Sequence, residues 1–264
     1  MTERLTSLAA IKDWLGIQSS ASDSLLTDLI DSASRFVLNY MNRPSLACQS
    51  YTERFRGNGK YSVLLKNWPI LSVESVGVNG NAVPASTFDS FGKPTDGYSP
   101  REPLEAPNSV DLFGYMFLIN TPCQVVYTAG YRATEAQTIP VDPYQLEPRT
   151  GGQWTSDLSV TIADVAAVKV MGTPSTGQYS VDDWGTYTFA NADVGKTAAI
   201  TYSYCPLDLS HCVRELVGEW YNRKDRIGVK SKSLGGQETV TFTTSDMNDS
   251  IRGVIQQYRN VVPM

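Results

Sequence analysis

Cys205, His211 and Cys212 form the tightest group of metal-ligating residue types in the sequence. A structural zinc site takes four ligands, commonly as two closely spaced pairs. Here the fourth ligand and the CxxC spacing are missing, and Cys48 and Cys123 lie far away along the chain. The four cysteines are therefore expected to be reduced, partly buried small hydrophobes. His211 is the single histidine in 264 residues, so any Ser-His-Asp scheme would rest on it, and no GxSxG elbow accompanies it. Asp182-Asp183 has the residue types for glycoside hydrolysis or calcium binding. Adjacent residues at a strand end point apart, however, which favours a solvated turn. Neither GxxxxGKS/T nor GxGxxG occurs, since Gly57-Asn58-Gly59 lacks a third glycine. The expectation is no catalytic residue, no metal site and no cofactor, hence not an enzyme.

One charge feature stands out. Arg223, Lys224, Arg226, Lys230 and Lys232 follow one another with Asp225 as the sole acid among them. They have the chemistry to meet DNA phosphates or an acidic protein surface. Cations at a helix C-terminus also gain about 0.3–1 kcal/mol each from the macrodipole. That accounts for Arg223, Lys224 and Arg226 but not for Lys230 and Lys232, and both readings stay open. The whole chain holds 22 Lys plus Arg against 27 Asp plus Glu, a formal charge of −5, so no global basic excess favours nucleic acid. At 41% apolar and 19% charged residues it reads as globular. No run approaches the ~18 apolar residues of a membrane span, and the charged N-terminus lacks a signal-peptide core. No membrane contact is expected.

The elements that must hold these residues begin with helices. Thr6 is a good N-cap for a short helix through Leu8, Ile11, Trp14 and Leu15, closed by Gly16. From Ser22 or Asp23, Leu25, Leu26, Leu29, Ile30, Ala33, Phe36, Val37, Tyr40 and Met41 make one apolar stripe, ending at Asn42-Arg43-Pro44. The period then becomes two. Gln49–Arg56 and Tyr61–Lys66 read as a hairpin across Gly57-Asn58-Gly59, and Leu71–Val78 leads to a turn at Asn79-Gly80-Asn81. Residues 84–109 read as a long loop, with strands returning at Ser109–Ile119 and Gln124–Tyr131.

Residues 132–206 carry short β-like runs with turns every 8–12 residues, the cadence of a small sandwich. Their charges are Arg132, Arg149, Lys169 and Lys196 against Glu135, Asp142, Glu147, Asp157, Asp164, Asp182, Asp183 and Asp193, so the module is acidic. Its edges echo each other. Val125–Tyr131 with Ile139-Pro140-Val141-Asp142 resembles Ala199–Tyr204 with Cys205-Pro206-Leu207-Asp208, as expected of a domain inserted at a strand-to-helix junction. Helical spacing resumes from Asp208 through Leu209, Cys212, Val213, Leu216, Val217, Trp220 and Tyr221. A Gly/Ser/Lys-rich stretch at 229–236 reads as flexible, Glu238–Thr243 as a strand, and Ser245 as the cap of a last helix.

In this order the segments resemble the head–tail connector (adaptor, head completion) proteins of tailed bacteriophages. The resemblance is carried by Leu8–Ile17, Asp23–Ser34, Tyr40-Met41-Asn42-Arg43-Pro44, Tyr51–Phe55, Trp68-Pro69-Ile70 and Tyr127-Thr128-Ala129-Gly130-Tyr131. It resumes with Pro206–Leu209, Glu219–Lys224 and Arg226–Ser231. It implies an α+β fold: a helical connector domain with a small antiparallel sheet, 1–131 and 205–264, plus an inserted all-β sandwich-like domain, 132–204. It also implies a virion protein of the neck, assembled in the host cytoplasm. The protein would form a homo-oligomeric ring, twelvefold like the portal, with portal protein, a tail or tail-completion protein and transiting DNA as partners. The basic residues 223–232 would face portal or DNA, and Leu234, Val240, Phe242, Ile251 and Tyr258 would belong to a portal-docking arm. The β-domain would face outward as a decorating or docking module.

A rival reading treats 132–204 as a recognition module of a phage tail or baseplate. Trp154, Trp184 and Tyr187 would stack on carbohydrate, or the module would bind a fibre protein. A sandwich core accounts for the same aromatics.

Overall fold

The computed structural model describes residues 3–90, 92–100, 108–224, 231–234, 238–241 and 247–260, with 231–234 and 238–241 described by backbone alone. These residues divide into two compact units, one built from the chain through Pro44 together with Ala133–Arg259, the other from Ser45–Arg132.

The first unit opens with α1 (Leu8–Leu15) and α2 (Asp23–Tyr40). The α1 cap is Ser7, one residue beyond the expected Thr6; its hydroxyl accepts from the Ala10 N–H. Gly16 closes the helix at φ 68, a conformation that costs glycine nothing. Most of the expected α2 stripe is buried, with Leu26, Ile30, Ala33 and Val37 fully enclosed, whereas Leu25 is exposed. Burying each of the Leu, Ile and Val side chains contributes roughly 1.5–3 kcal/mol.

The second unit carries β1 (Gln49–Arg56), β2 (Ser62–Leu64), β3 (Ile70–Val78), β4 (Asn81–Val83), β5 (Thr87–Phe88), β6 (Pro94–Pro100), β7 (Ser109–Phe113) and β8 (Pro122–Ala129). They form two four-stranded sheets, ordered β1-β8-β3-β4 and β2-β7-β6-β5. Cys123, Val125, Tyr127 and Ala129 alternate inward along β8 and pack with Val76, Val110, Leu112 and Phe117. Three expectations change here. The β1 partner is β8, and β2 crosses to the other sheet, so no hairpin spans Gly57–Gly59. The stretch 84–109 contains β5 and β6 rather than only a loop. The strand expected through Ile119 ends at Phe113. By contrast, Asn79 (φ 52) and Gly80 (φ 80) make the tight β3–β4 turn read from Asn-Gly.

Back in the first unit come β9 (Arg132–Thr138), β10 (Gln145–Leu146), β11 (Gln153–Ile162), β12 (Val165–Ala166), β13 (Val168–Lys169), β14 (Gln178–Val181), β15 (Tyr187–Phe189) and β16 (Thr197–Cys205). They form sheets ordered β12-β11-β16-β9 and β10-β15-β14-β13, around a core of Val160, Ile162, Tyr179, Tyr187, Phe189, Ile200 and Tyr202. Then α3 (Leu207–Arg223) packs on α1 and α2, with Phe36 and Trp220 meeting edge-on at 5.9 Å between centroids. Pro206 occupies the N-cap position of α3. A hairpin of β17 (Ser231–Leu234) and β18 (Glu238–Thr241) precedes α4 (Asp249–Gln257), which packs on α3. Asn248, not Ser245, caps α4.

The fold is α+β, but "helical" describes it only partly. Among the described residues, four helices stand beside four four-stranded sheets and a hairpin. Short strands of two or three residues, such as β4, β5 and β10, leave too little alternation to count from sequence.

Candidate docking surfaces

The residues with catalytic or ligating potential are absorbed by structure. Cys205 and Cys212 are buried, and burial pushes the Cys205 thiol well up and the Cys212 thiol up to about 11. His211 sits half-exposed on α3, its Nε2 3.2 Å from Glu215 and its ring edge-on to Trp14 at 5.2 Å. Among the described residues no cluster of three or more His, Cys, Asp or Glu side chains forms a metal-binding group. Asp182 caps its own turn, Oδ1 accepting from the N–H groups of Trp184 and Thr186.

The three aromatics considered for carbohydrate each have a partner within the chain. Tyr187 is fully buried, and its hydroxyl donates to Asp157 Oδ1 (3.0 Å) while accepting from Trp154 Nε1 (3.1 Å). The Trp154 ring lies against Gly185, where a Cβ would stand 2.5 Å from it. Trp184 lies under the Arg4 guanidinium, 4.7 Å from its centroid. Asp157 also accepts from Tyr179 (3.0 Å) and Lys169 (3.1 Å). Burial first, then the Asp157 charge, pushes the Tyr179 and Tyr187 hydroxyls up. This is a satisfied polar network in a sandwich interior.

Of the basic run, Arg223 lies 3.8 Å from Glu219 and Lys224 Nζ 3.8 Å from the Tyr221 ring centroid. Lys232 is on β17, while Arg226 and Lys230 lie outside the described residues. Of the arm residues, Leu234 is on β17 and Val240 on β18, and Phe242 lies outside the described residues. Ile251 is 1% exposed in the face that α4 turns to its own unit. Tyr258 donates its hydroxyl hydrogen to Asp208 Oδ2 at 2.7 Å. These two side chains are already engaged within the chain.

The exposed apolar surface lies elsewhere. In the second unit the loop after β7 shows Tyr115, Met116, Leu118 and Ile119 to solvent around a buried Phe117, and Tyr61, whose carbonyl accepts from Leu112 N, is exposed beside it. Backbone bonds lace the two segments together: Gly59 N to Phe117 O (2.8 Å), Phe117 N to Lys60 O (2.9 Å) and Asn120 N to Gly57 O (2.9 Å). In the first unit, β12 and β13 are the edge strands of their sheets, and Val165, Val168 and Met171 are exposed there. The sequence signal for the loop was present. Five consecutive apolar residues, Tyr115–Ile119, lack the alternation of a half-buried strand.

The profile of the family described as "HCP: Head completion protein" matches residues 4–140, more than half of the chain, taking in α1, α2 and both sheets of the second unit. A search of curated proteins finds no match. Among solved structures, a chain described as "Neck of empty GTA particle computed with C6 symmetry" aligns at 11% identity and a TM-score of 0.41. The alignment covers 98% of this chain and 92% of that one.

Proposed function

The chain belongs to the head completion protein family, and from that premise we propose that it joins the portal to the tail in a tailed-phage virion. The observation that carries this reading is the family match over residues 4–140. Copies form a ring under the portal, twelve if the portal sets their number, and extend the DNA channel towards a tail or tail-completion protein. Many copies multiply weak contacts by effective concentration, so no single subunit interface need be strong. The basic residues from Arg223 to Lys232 face portal or DNA. The segment between α3 and α4, with Leu234, Val240 and Phe242, is the portal-docking arm, and Ile251 and Tyr258 anchor its far end. Residues 132–204 are an inserted docking module.

The test is complementation of virion assembly. Particles made without this protein are expected to be DNA-filled heads that do not join tails, and adding the purified protein restores joining. Heads that join tails normally in its absence overturn the proposal.

A further inference from the structure

Residues 3–6, which precede α1, touch both the helices and the β-module of the first unit. The helices pack chiefly on one another, the β-module keeps a core of its own, and α3 follows β16 directly. Leu5 is fully buried, and its N–H donates to the Oγ of Ser34 on α2 (3.1 Å). Arg4 grips Asp31 of the same helix twice, Nε to Oδ1 at 2.7 Å and Nη2 to Oδ2 at 3.2 Å. The face of that guanidinium covers the Trp184 ring, 4.7 Å from its centroid. Asp183, next to Trp184 in sequence, adds a favourable charge. Glu3 lies near enough to Cys205, the last residue of β16, for its charge to act on the buried thiol.

Trp184 is a firm point of attachment. Asp182 Oδ1 closes its turn by accepting from Trp184 N (2.9 Å) and Thr186 N (2.8 Å). Gly185 stands at φ 92 against the Trp154 ring, where a Cβ would be 2.5 Å from it. Trp154 donates to the Tyr187 hydroxyl, and Tyr187 to Asp157, so the turn is tied into the sandwich core. On the other side, Asp31 belongs to α2, where its neighbours Ile30 and Ser34 are buried. Arg4 therefore links two parts that are each held firmly. A planar guanidinium can donate two bonds in its plane to a carboxylate while its face stacks on an aromatic ring; a Lys ammonium is a point charge and cannot do both.

We propose that residues 3–6 are a strap that fastens the β-module to the helices, with Arg4 as the fastening residue, and that opening the strap frees the module to turn at the β16–α3 junction. The Arg4–Asp31 pair is partly open to water, its side chains 25% and 29% exposed, and such a pair is screened by salt. The fastening therefore loosens with ionic strength while the buried cores on either side do not. A strapped module is held in one orientation before it meets a partner, which spares ordering entropy on contact. The strap acts within one chain, so it stands or falls separately from the ring reading.

The test uses the full chain with nitroxide labels at two exposed sites, Asp28→Cys on α2 and Thr176→Cys in the β-module, the four native cysteines being buried. Pulsed electron resonance reads the distance between the labels. The labelled chain with no other change should give one narrow distribution. Arg4→Ala and Trp184→Ala should each broaden it, and the double variant no further, since either change removes the same contact. Arg4→Lys should broaden it as well although the charge is kept, and about 1 M salt should do so without any substitution. Exchange of the Leu5 amide should rise about tenfold in Arg4→Ala, with the Ile200 and Tyr202 amides as protected as before. A distribution unchanged in both Arg4→Ala and Trp184→Ala overturns the proposal, as does one that is already broad without them. Loss of protection at Ile200 and Tyr202 in Arg4→Ala overturns it too, since the contact would then belong to the fold of the sandwich itself.

Discussion

Tyr258 donates its hydroxyl hydrogen to Asp208 Oδ2 across 2.7 Å, joining the residue after α4 to the first turn of α3. With Ile251 and Ile255 buried on the same helix, that bond returns the chain to its helical unit after the β17–β18 hairpin. Tyr258→Phe should lower stability by about 1 kcal/mol, the usual net worth of one such bond, and speed amide exchange in α4. Urea unfolding and hydrogen exchange read both effects; unchanged exchange in α4 would show the bond does not hold the helix.

Gly57 has no room for a side chain. A Cβ there would stand 2.0 Å from Leu118 O and 2.7 Å from Phe117 O, both backbone atoms. Gly57→Ala should destabilise the second unit by about 2–3 kcal/mol, in the upper range for overpacking. A loss below about 0.5 kcal/mol in chemical denaturation would mean that the 117–118 backbone yields easily.

Two carboxylates in the β-module titrate below their ordinary range. Burial alone would push Glu135 up, but the N–H groups of Thr150 and Arg149 and the side chains of Thr150 and Gln137 outweigh it. Asp193 is likewise raised by burial and lowered more by Lys196 (2.7 Å) and the Gly177 N–H (2.8 Å). A depressed folded pKa stabilises the fold above the unfolded value, about 4, and that stabilisation is lost as pH falls through the folded value. Stability should therefore drop below pH ~4, and Asp193→Asn combined with Glu135→Gln should flatten that limb at a lower plateau. An unchanged acid limb in the double variant would remove these groups from the account.

All four cysteines are free and buried, and burial holds the Cys205 and Cys212 thiols protonated at neutral pH. A thiol reagent that needs the thiolate should label the native chain slowly and the denatured chain fully. Rapid native labelling of Cys212 would contradict its burial against the helices.

The helices were readable because their apolar stripes are long. α2 shows its face nine times over, and the buried set Leu26, Ile30, Ala33 and Val37 falls within that stripe. Residues 132–206 were readable as β-structure from their short runs and frequent turns. Pairing was not. Gly57-Asn58-Gly59 has the composition of a hairpin turn, yet Gly57 is there for close approach to the 117–118 backbone, a contact set by residues sixty positions away. The loop Tyr115–Ile119 reads as the continuation of a strand unless its missing alternation is counted. The amphipathic spacing around Ile251 and Tyr258 marks a helix but does not say which surface that helix covers.

The most direct measurement is the mass of the full chain in solution, alone and mixed with portal rings. The account predicts growth with concentration to one closed species, and a single ring of it on each portal. A monomer at every concentration that leaves the portal mass unchanged would contradict it.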